Sequence, residues 1–359
     1  MKYSRFIIPA AVYTLLLVCF SSVSLDAAKA ALKLCADSLL PSLFPFFVCS
    51  SILINLGAAD IFSKLLTPLM KPLFGLGGSC SLAMIMGYIS GYPVGAKTAT
   101  DLYLDGSCTK AEAEKLLAFC NNSGPMFIIG ALGSGMLGNS GAGALIYLSH
   151  VLSSLSVALI IRSVPSYPVL RGKSSGKENV DSFGEILTQS VSSSAQLTFT
   201  VCGFVVIFGI LISFIESLGI INALSSLGLS YDLCKAIIYG FFECSGGCAS
   251  VINAIRSPLA RYMLLSAVVA WSGISVHLQV LGIIKKAKLS PKLYFKGKVL
   301  MAIISPVITF LLYGFSRGSI HTAPLIRIVI LFILTVFVVL KILSVLKRLY
   351  FKYSPLPPK

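Results

Sequence analysis

Long apolar stretches separated by short polar segments make up most of this chain. Six of them, at 6–24, 39–56, 142–164, 197–215, 299–315 and 325–346, are predominantly apolar, and two more, at 116–137 and 262–284, contain a polar break. A helix needs about 20 apolar residues to cross the hydrocarbon core of a bilayer. The pattern therefore predicts an all-helical protein that crosses a membrane many times.

Two glycine-rich segments interrupt this pattern. GYISGYPVGAK (87–97) and GFFECSGGCAS (240–250) lie in apolar sequence that is too short or too rich in glycine for a plain span. We expect re-entrant hairpins at 80–97 and 236–255, the first entering from the cytoplasm and the second from outside. Irregular backbone at membrane depth is tolerated only where protein or a water-filled cavity satisfies its polar groups.

A broken span follows each hairpin. FCNNSGPMFIIG (119–130) follows the first and AWSGISVHLQ (270–279) the second, so that 36 residues separate Gly87 from Ser123 and 32 separate Gly240 from Ser272. Paired interrupted segments in two halves of a membrane protein point to a binding site between repeats. The predicted fold class is an all-α polytopic membrane protein, an inverted repeat with two re-entrant hairpins and two broken transmembrane helices.

This repeat divides the chain into parts. Residues 59–76 are predicted to lie along the cytoplasmic interface, and Thr109, with Glu112 three residues later, predicts the capped start of a short exposed helix. The first apolar stretch could also be a cleavable signal sequence, which would leave the later topology unchanged. The predicted parts are an N-terminal transmembrane helix at 1–34, a first repeat at 35–164, a cytoplasmic linker at 165–194, a second, inverted repeat at 195–316, and a C-terminal transmembrane helix and tail at 317–359.

Composition and charge agree with a membrane protein. The chain is 56% hydrophobic and 12% charged, with a mean hydropathy of +0.90. Lys and Arg number 29 against 13 Asp and Glu, and many of them lie beside apolar stretches. This is the positive-inside pattern, so we expect no nucleic-acid partner and place both termini in the cytoplasm. The clusters are Lys2 and Arg5; Arg162, Arg171, Lys173 and Lys177; Lys285, Lys286, Lys288, Lys292, Lys296 and Lys298; and Lys341, Lys347, Arg348, Lys352 and Lys359.

Enzyme and metal motifs are absent from the sequence. The ten cysteines include no C-x-x-C pair and no Cys/His grouping, so neither a disulfide framework nor a metal site is indicated. No G-x-S-x-G, H-E-x-x-H, Walker A or dinucleotide fingerprint appears, and we do not expect an enzyme. We interpret His150 and His277 as packed or hydrogen-bonded side chains.

Candidate substrate-binding residues are concentrated at the tip of the first hairpin: Ser90, Gly91, Tyr92, Gly95 and Lys97. Glycine permits close backbone approach, and free N–H groups at the start of a half-helix attract anions. Lys97 adds a positive charge there, unless its side chain instead extends to the membrane interface.

The first broken span adds Asn121, Asn122 and Ser123 to these candidates. Two adjacent amides and a hydroxyl at a helix break offer donors and acceptors that suit a flat, polar, ring-sized ligand. The alternative role is hydrogen bonding between helices.

Glu243 is the acidic residue within the second hairpin. An intramembrane carboxylate costs about 2.5 to 3.5 kcal/mol on the insertion scale and indicates a functional site. It could bind a coupling proton or Na⁺, pair with a base such as Lys97, or reach the outer interface. We expect no other cofactor.

The second broken span carries Ser272, Ser275 and Gln279 at spacings of three and four. This spacing places them on one helical stripe, which is a candidate second wall of the site. Hydrogen bonding between helices is again the alternative.

Four of these segments resemble a known family. SGYPVGAK, AEAEKLLAFCNNSGPMFIIGALGSGMLGN (111–139), GFFECSGGC and WSGISVHLQVLGIIKK are similar to the YlbJ family of sporulation integral membrane proteins. The resemblance covers residues 35–310. That family carries the nucleoside-recognition "gate" domain and is similar to concentrative nucleoside transporters.

The resemblance implies a transporter of a small anionic aromatic solute. It implies dipicolinic acid as the solute and the outer forespore membrane of the mother cell as the location. The family's patterned positions fall on the candidate residues above. The alternatives are a carrier of nucleosides or related solutes, and a membrane scaffold for spore maturation that transports nothing. The implied partners are the solute and the lipid bilayer. Whether the chain forms a homo-oligomer is left open.

Overall fold

A computed structural model describes residues 4–56, 58–162 and 182–317, and these residues are helical, with loops and no strand among them. In the first half the helices are α1 (Ser4–Cys19), α2 (Ser21–Leu34), α3 (Leu40–Asn55), α4 (Ala58–Leu69), α5 (Ser81–Ile89), α6 (Val94–Leu104), α7 (Lys110–Leu117) and α8 (Ser140–Ile161). In the second half they are α9 (Phe183–Ser217), α10 (Ile220–Ser225), α11 (Tyr231–Phe242), α12 (Cys244–Ala254), α13 (Pro258–Trp271), α14 (Gly273–Lys286) and α15 (Lys292–Arg317). Cys35–Leu39, Met70–Phe74 and Met126–Met136 are π-helical, and Gly78–Cys80 is a 3₁₀ turn.

Several of these helices are long and apolar enough to cross a membrane. Within the described residues they number five, or six if the pair Lys64–Phe74 and Gly78–Ile89, bent by 108°, forms one span; the five are Ser21–Leu53, Ser140–Ile161, Phe183–Ser217, Pro258–Lys286 and Lys292–Gly314. The prediction of an all-helical, multi-spanning membrane protein is thus confirmed. The predicted span at 325–346 lies outside the described residues, and the inverted orientation of the two halves stays a prediction.

The N-terminal region differs from the predicted pair of separate spans at 6–24 and 39–56. α1 ends at Cys19, and α2 then continues through the π-helical turn into α3, so that Ser21–Leu53 forms one helix of 33 residues. The reason is local: residues 21–40 contain neither glycine nor proline and are rich in alanine and leucine, which favour helix. The predicted boundary between 34 and 35 therefore falls inside a continuous helix.

The predicted linker at 165–194 also ends earlier than expected. Ser182 caps α9 by accepting from the Glu185 amide at 3.3 Å, while the Glu185 carboxylate accepts from the Ser182 amide at 2.7 Å. This reciprocal capping box starts the helix at Phe183, so residues 183–194 are helical. The same signal at Thr109 and Glu112 was predicted for α7 and is confirmed, with bonds of 3.0 and 2.9 Å. The predicted exposure of this helix is wrong, because its second half, Ala113 and residues 115–117, is buried against the core.

Two apolar clusters hold the helices together among the described residues. The first cluster contains side chains from helices α5 through α8 and from α14 and α15. The second contains side chains from α2, α3, the 126–136 segment, α9 and helices α11 through α13. The hairpin tips and the helix breaks lie where helices of the two clusters meet.

Candidate functional site

Both glycine-rich segments are tight helical hairpins. A methyl group added to Gly95 would lie 2.9 Å from Cα of Gly87, and one added to Gly247 would lie 2.7 Å from the amide nitrogen of Gly240. Residues seven or eight apart in a continuous helix are separated by about 10 to 12 Å. The chain therefore reverses direction between α5 and α6, and again between α11 and α12. Whether these hairpins enter a bilayer from opposite sides stays a prediction.

Each hairpin packs directly on the break that follows it. The carbonyl of Cys120 lies against Gly87 and Gly95, so that a methyl group on either would overlap it, and Gly91 at the first tip lies against Gly124. A methyl group on Gly273 would lie 3.0 Å from the carbonyl oxygen of Phe242 and from the backbone of the next two residues, which form the second tip. Glycine is required at these contacts because backbone meets backbone.

The two tips and the two breaks line one central cavity. The cavity has a volume of about 40 Å³, which is enough for only a few water molecules. Its polar lining comes from Ser90, Gly91, Tyr92, Ser123, Gly124, Glu243, Ser245, Ser275 and Gln279; its apolar lining includes Leu39, Leu43, Phe46, Phe47, Val201, Phe204 and Val205. The tips of both hairpins therefore lie at the same cavity.

Three polar atoms of this lining lack hydrogen-bond partners within the described residues. They are the hydroxyl oxygens of Ser90 and Ser123 and the side-chain oxygen of Gln279, and all three are buried. Buried polar atoms in proteins are nearly always bonded, so such atoms at a cavity wall are available to water or to a ligand. Ser275, on the same helix face as Gln279, also lines the cavity. Ser275 and Gln279 of the predicted second wall therefore both line the cavity, and their role in binding stays a prediction.

Glu243 is the N-cap of α12. Its carboxylate accepts from the amide of Ser245 at 2.9 Å and from the amide of Gly246 at 2.5 Å, and the residue is 4% exposed. Free amides at a helix N-terminus stabilise a carboxylate there, which is how a buried charge is accommodated. The predicted alternative of an ion pair with Lys97 is wrong, because Lys97 pairs with Asp101 at 2.7 Å.

Lys97 lies outside the central cavity, in a wider vestibule beside it. The vestibule has a volume of about 440 Å³ and shares Phe47 and Ser90 with the central cavity. The Lys97 side chain is 67% exposed. Hydroxyl and amide groups from α3 and α9 provide most of the remaining polar lining: Ser50, Ser51, Ser193, Ser194, Gln196 and Thr200.

Asn121 and Asn122 are buried in the protein and are not among the residues that line the central cavity. The Asn122 amide donates to the carbonyl of Phe119 at 2.7 Å and to the hydroxyl of Ser154 at 3.2 Å. Tyr88 bonds to the same hydroxyl at 2.7 Å. In this conformation Asn122 connects the first break to α8 and to the first hairpin, and the binding role of both asparagines stays a prediction.

Replacing Asn122 with alanine should therefore reduce stability before it reduces binding. Two hydrogen bonds are lost and the buried Phe119 carbonyl loses a donor, so we expect unfolding to become easier by about 1 to 3 kcal/mol. Thermal stability in detergent measures this, with Asn121→Ala as the matched control. Wild-type stability combined with lost uptake would instead establish a binding role for Asn122.

Two residues that bond to the breaks were not among the predicted site residues, although the hydrogen-bonded state interpreted for His150 agrees with the structure. His150 on α8 accepts the Ser123 amide at 3.1 Å and so satisfies the backbone of the first break. Lys298 on α15 donates to the hydroxyl of Ser272 at 3.0 Å at the second break. Ser272 therefore faces Lys298 and does not line the cavity. The prediction that Lys298 belongs to a cytoplasmic cluster is wrong, because its side chain is buried, at 1% exposure.

His277, as predicted, is hydrogen-bonded: its Nδ1 lies 2.7 Å from the Tyr294 hydroxyl. No group of three or more His, Cys, Asp or Glu side chains in the described parts of the chain is arranged to hold a metal ion.

Comparison with solved structures defines the class of fold. A variant of the transporter CNTnw in an intermediate state superposes with a TM-score of 0.55 at 14% identity, covering 87% of this chain and 86% of that chain. CNTnw in an inward-facing, substrate-bound state gives a TM-score of 0.52 at 13% identity, covering 89% and 86%. The chain has the fold of a concentrative nucleoside transporter.

Sequence comparison defines the family. The Gate nucleoside-recognition domain matches residues 36–163. The sporulation integral membrane protein YlbJ of Bacillus subtilis (strain 168) is 31% identical over an alignment 316 residues long, which covers 81% of this chain and 78% of that protein. The chain belongs to the YlbJ family of sporulation integral membrane proteins.

Proposed function

We propose that this protein is a carrier that moves a small anionic aromatic solute, dipicolinic acid, across the outer forespore membrane during sporulation. The observation that carries the proposal is the convergence of two hairpin tips and two helix breaks on one cavity. A membrane scaffold has no need for irregular backbone in lipid, whereas a carrier uses it to present polar groups to a solute.

The access route that we propose for this conformation is the vestibule. It shares the lining residues Phe47 and Ser90 with the central cavity, and its lining reaches Lys97 on α6. Under the predicted topology this is the cytoplasmic side. The central cavity of about 40 Å³ is smaller than an aromatic dicarboxylate needs. Binding therefore requires the cavity to widen from this state.

The charge of Glu243 sets a condition on the solute. A carboxylate in the cavity wall repels an anion in a site where only a few water molecules can screen the charges. Transport of an anion therefore requires that Glu243 carry a proton or bind a cation such as Na⁺ at the same time. This supports the role of Glu243 as the coupling-ion site.

A neutral nucleoside is the second candidate solute. The carboxylate of Glu243 in the cavity wall favours it. A carboxylate accepts hydrogen bonds from sugar hydroxyls without any need for charge compensation. Ser90 and Gln279 would then contact the base or the ribose. The two candidates thus differ in whether Glu243 must be neutralised.

Uptake by purified protein in liposomes tests these proposals. We expect labelled dipicolinate to be accumulated in the presence of a proton or sodium gradient, with unlabelled dipicolinate competing and nucleosides competing weakly. Strong competition by nucleosides would establish the second candidate. Absence of uptake for every small anion and nucleoside tested would leave a scaffold for spore maturation as the function.

A further inference from the structure

Lys298 is a buried cation at the second helix break. It lies in α15 within a candidate membrane span and is 1% exposed, although Lys292 and Lys296 on the same helix are exposed. Its ammonium nitrogen lies 3.0 Å from the hydroxyl oxygen of Ser272 and 3.5 Å from the carbonyl oxygen of Ala270. A charged side chain buried in a membrane span indicates a function.

The ammonium group of Lys298 lies at the C-terminal end of α13. Ser272 has a φ of +76° and ends this helix, and Gly273 with a φ of +82° starts α14. The last carbonyls of a helix have no partner within it, and they form the negative end of its dipole. A cation placed against Ala270 is therefore stabilised by the same carbonyls that the break leaves unpaired.

No carboxylate neutralises this lysine in the described parts of the chain. The ion pairs there join Lys97 to Asp101 and Lys235 to Glu216. The partners of Lys298 are a hydroxyl and a carbonyl oxygen, which are neutral dipoles. Hard monovalent cations are bound in proteins by such oxygens.

The backbone beside Lys298 is fixed to the other half of the site. A methyl group added to Gly297 would lie 2.7 Å from the carbonyl carbon of Ala118, just before the first break. α15 also packs on α8 and α13. The ammonium group is thus held in one place by the fold on both sides.

We propose that the ammonium of Lys298 is a built-in cation, which occupies at the second break the position that a bound monovalent ion would otherwise fill. It holds α13 and α14 in their broken geometry, so this break needs no inorganic cation from solution. This role of Lys298 concerns a site different from Glu243, where the coupling ion is proposed to act. The consequence of the Lys298 role for transport rests on the proposed carrier function, but the expected effect of Lys298 on cation binding does not.

Removing the side chain should therefore create a cation site. In detergent with choline as the background cation, Lys298→Ala should have a lower melting temperature than wild type. Ammonium, methylammonium, Na⁺ or K⁺ should raise the melting temperature of the variant by several degrees and leave wild type unchanged. Lys296→Ala, an exposed lysine of the same helix, is the matched control and should behave like wild type. The proposal would be overturned if none of the four cations raised the melting temperature of Lys298→Ala by more than it raises that of wild type.

A second pair of variants covers the case in which Lys298→Ala cannot be purified. Lys298→Arg keeps the charge and the donors, whereas Lys298→Met keeps the length and loses both. We expect Arg to retain most of the wild-type membrane abundance and Met to lose it, and equal abundance of the two would overturn the proposal. If the carrier function holds, uptake by Lys298→Ala should also become dependent on added cation. A thermal response without uptake would contradict only the carrier proposal.

Discussion

Replacing Gly87 with alanine should nearly eliminate folded protein from the membrane. The added methyl group would overlap the carbonyl oxygen of Cys120 and lie 2.6 Å from its carbonyl carbon. These are backbone atoms of the first break, which is itself held by Asn122 and His150, so they cannot move aside as a flexible side chain would. We expect a loss of stability on the order of 3 kcal/mol, at the upper end for overpacking. Membrane abundance and the melting temperature in detergent measure it.

Gly282→Ala is the control for this substitution. Gly282 is also within a helix, α14, but a methyl group there meets no atom within 4 Å. Alanine at an unhindered helical site stabilises by roughly 0.5 to 1 kcal/mol relative to glycine, so this variant should be at least as stable as wild type. Equal stability of Gly87→Ala and Gly282→Ala would show that the hairpin does not pack on the break as described.

Replacing Glu243 with glutamine should abolish the dependence of uptake on pH or sodium. The amide keeps the shape of the side chain and one oxygen, which can accept from one of the Ser245 and Gly246 amides, but it cannot bind a proton or a cation by its charge. For an anionic solute, wild-type uptake should rise as the pH falls, because protonation removes the repelling charge. The variant should transport at a rate that does not change with pH or with added sodium.

Asp232→Asn is the matched control, since Asp232 is an exposed carboxylate on α11, the first helix of the same hairpin. Its uptake should keep the wild-type dependence. Unchanged coupling in Glu243→Gln, together with unchanged thermal stability, would show that Glu243 neither couples transport nor supports the tip. A pure loss of stability would leave Glu243 as a helix cap only.

The hairpins and breaks could be predicted because their cause is local. Glycine, proline and adjacent polar residues cannot continue a helix, so the chain breaks at Ser90 to Pro93, at Asn121 to Gly124, at Glu243 and at Ser272. The capping box of α9 is equally local, because Ser182 and Glu185 alone define its start.

The direction of individual side chains could not be predicted in the same way. Asn122 and Ser123 are adjacent, yet Ser123 lines the cavity and Asn122 bonds to Ser154. This segment has no regular secondary structure, so which of its side chains meets the cavity depends on tertiary packing. Lys298 was grouped with nearby lysines, because sequence spacing does not show where a membrane helix leaves the bilayer.

The two walls of the central cavity predict which parts of the molecule can move. The hairpins and breaks meet through backbone contacts at glycines, such as Gly91 on Gly124, and these contacts leave no room for relative displacement. The opposite wall, from the 35–39 turn, α3 and α9, presents apolar side chains such as Leu39, Phe47 and Val205. Apolar contacts have no preferred direction, so displacement along this wall breaks no hydrogen bonds of its side chains. We therefore expect the hairpins and breaks to move along α3 and α9 during transport, with the apolar wall as the surface along which they slide.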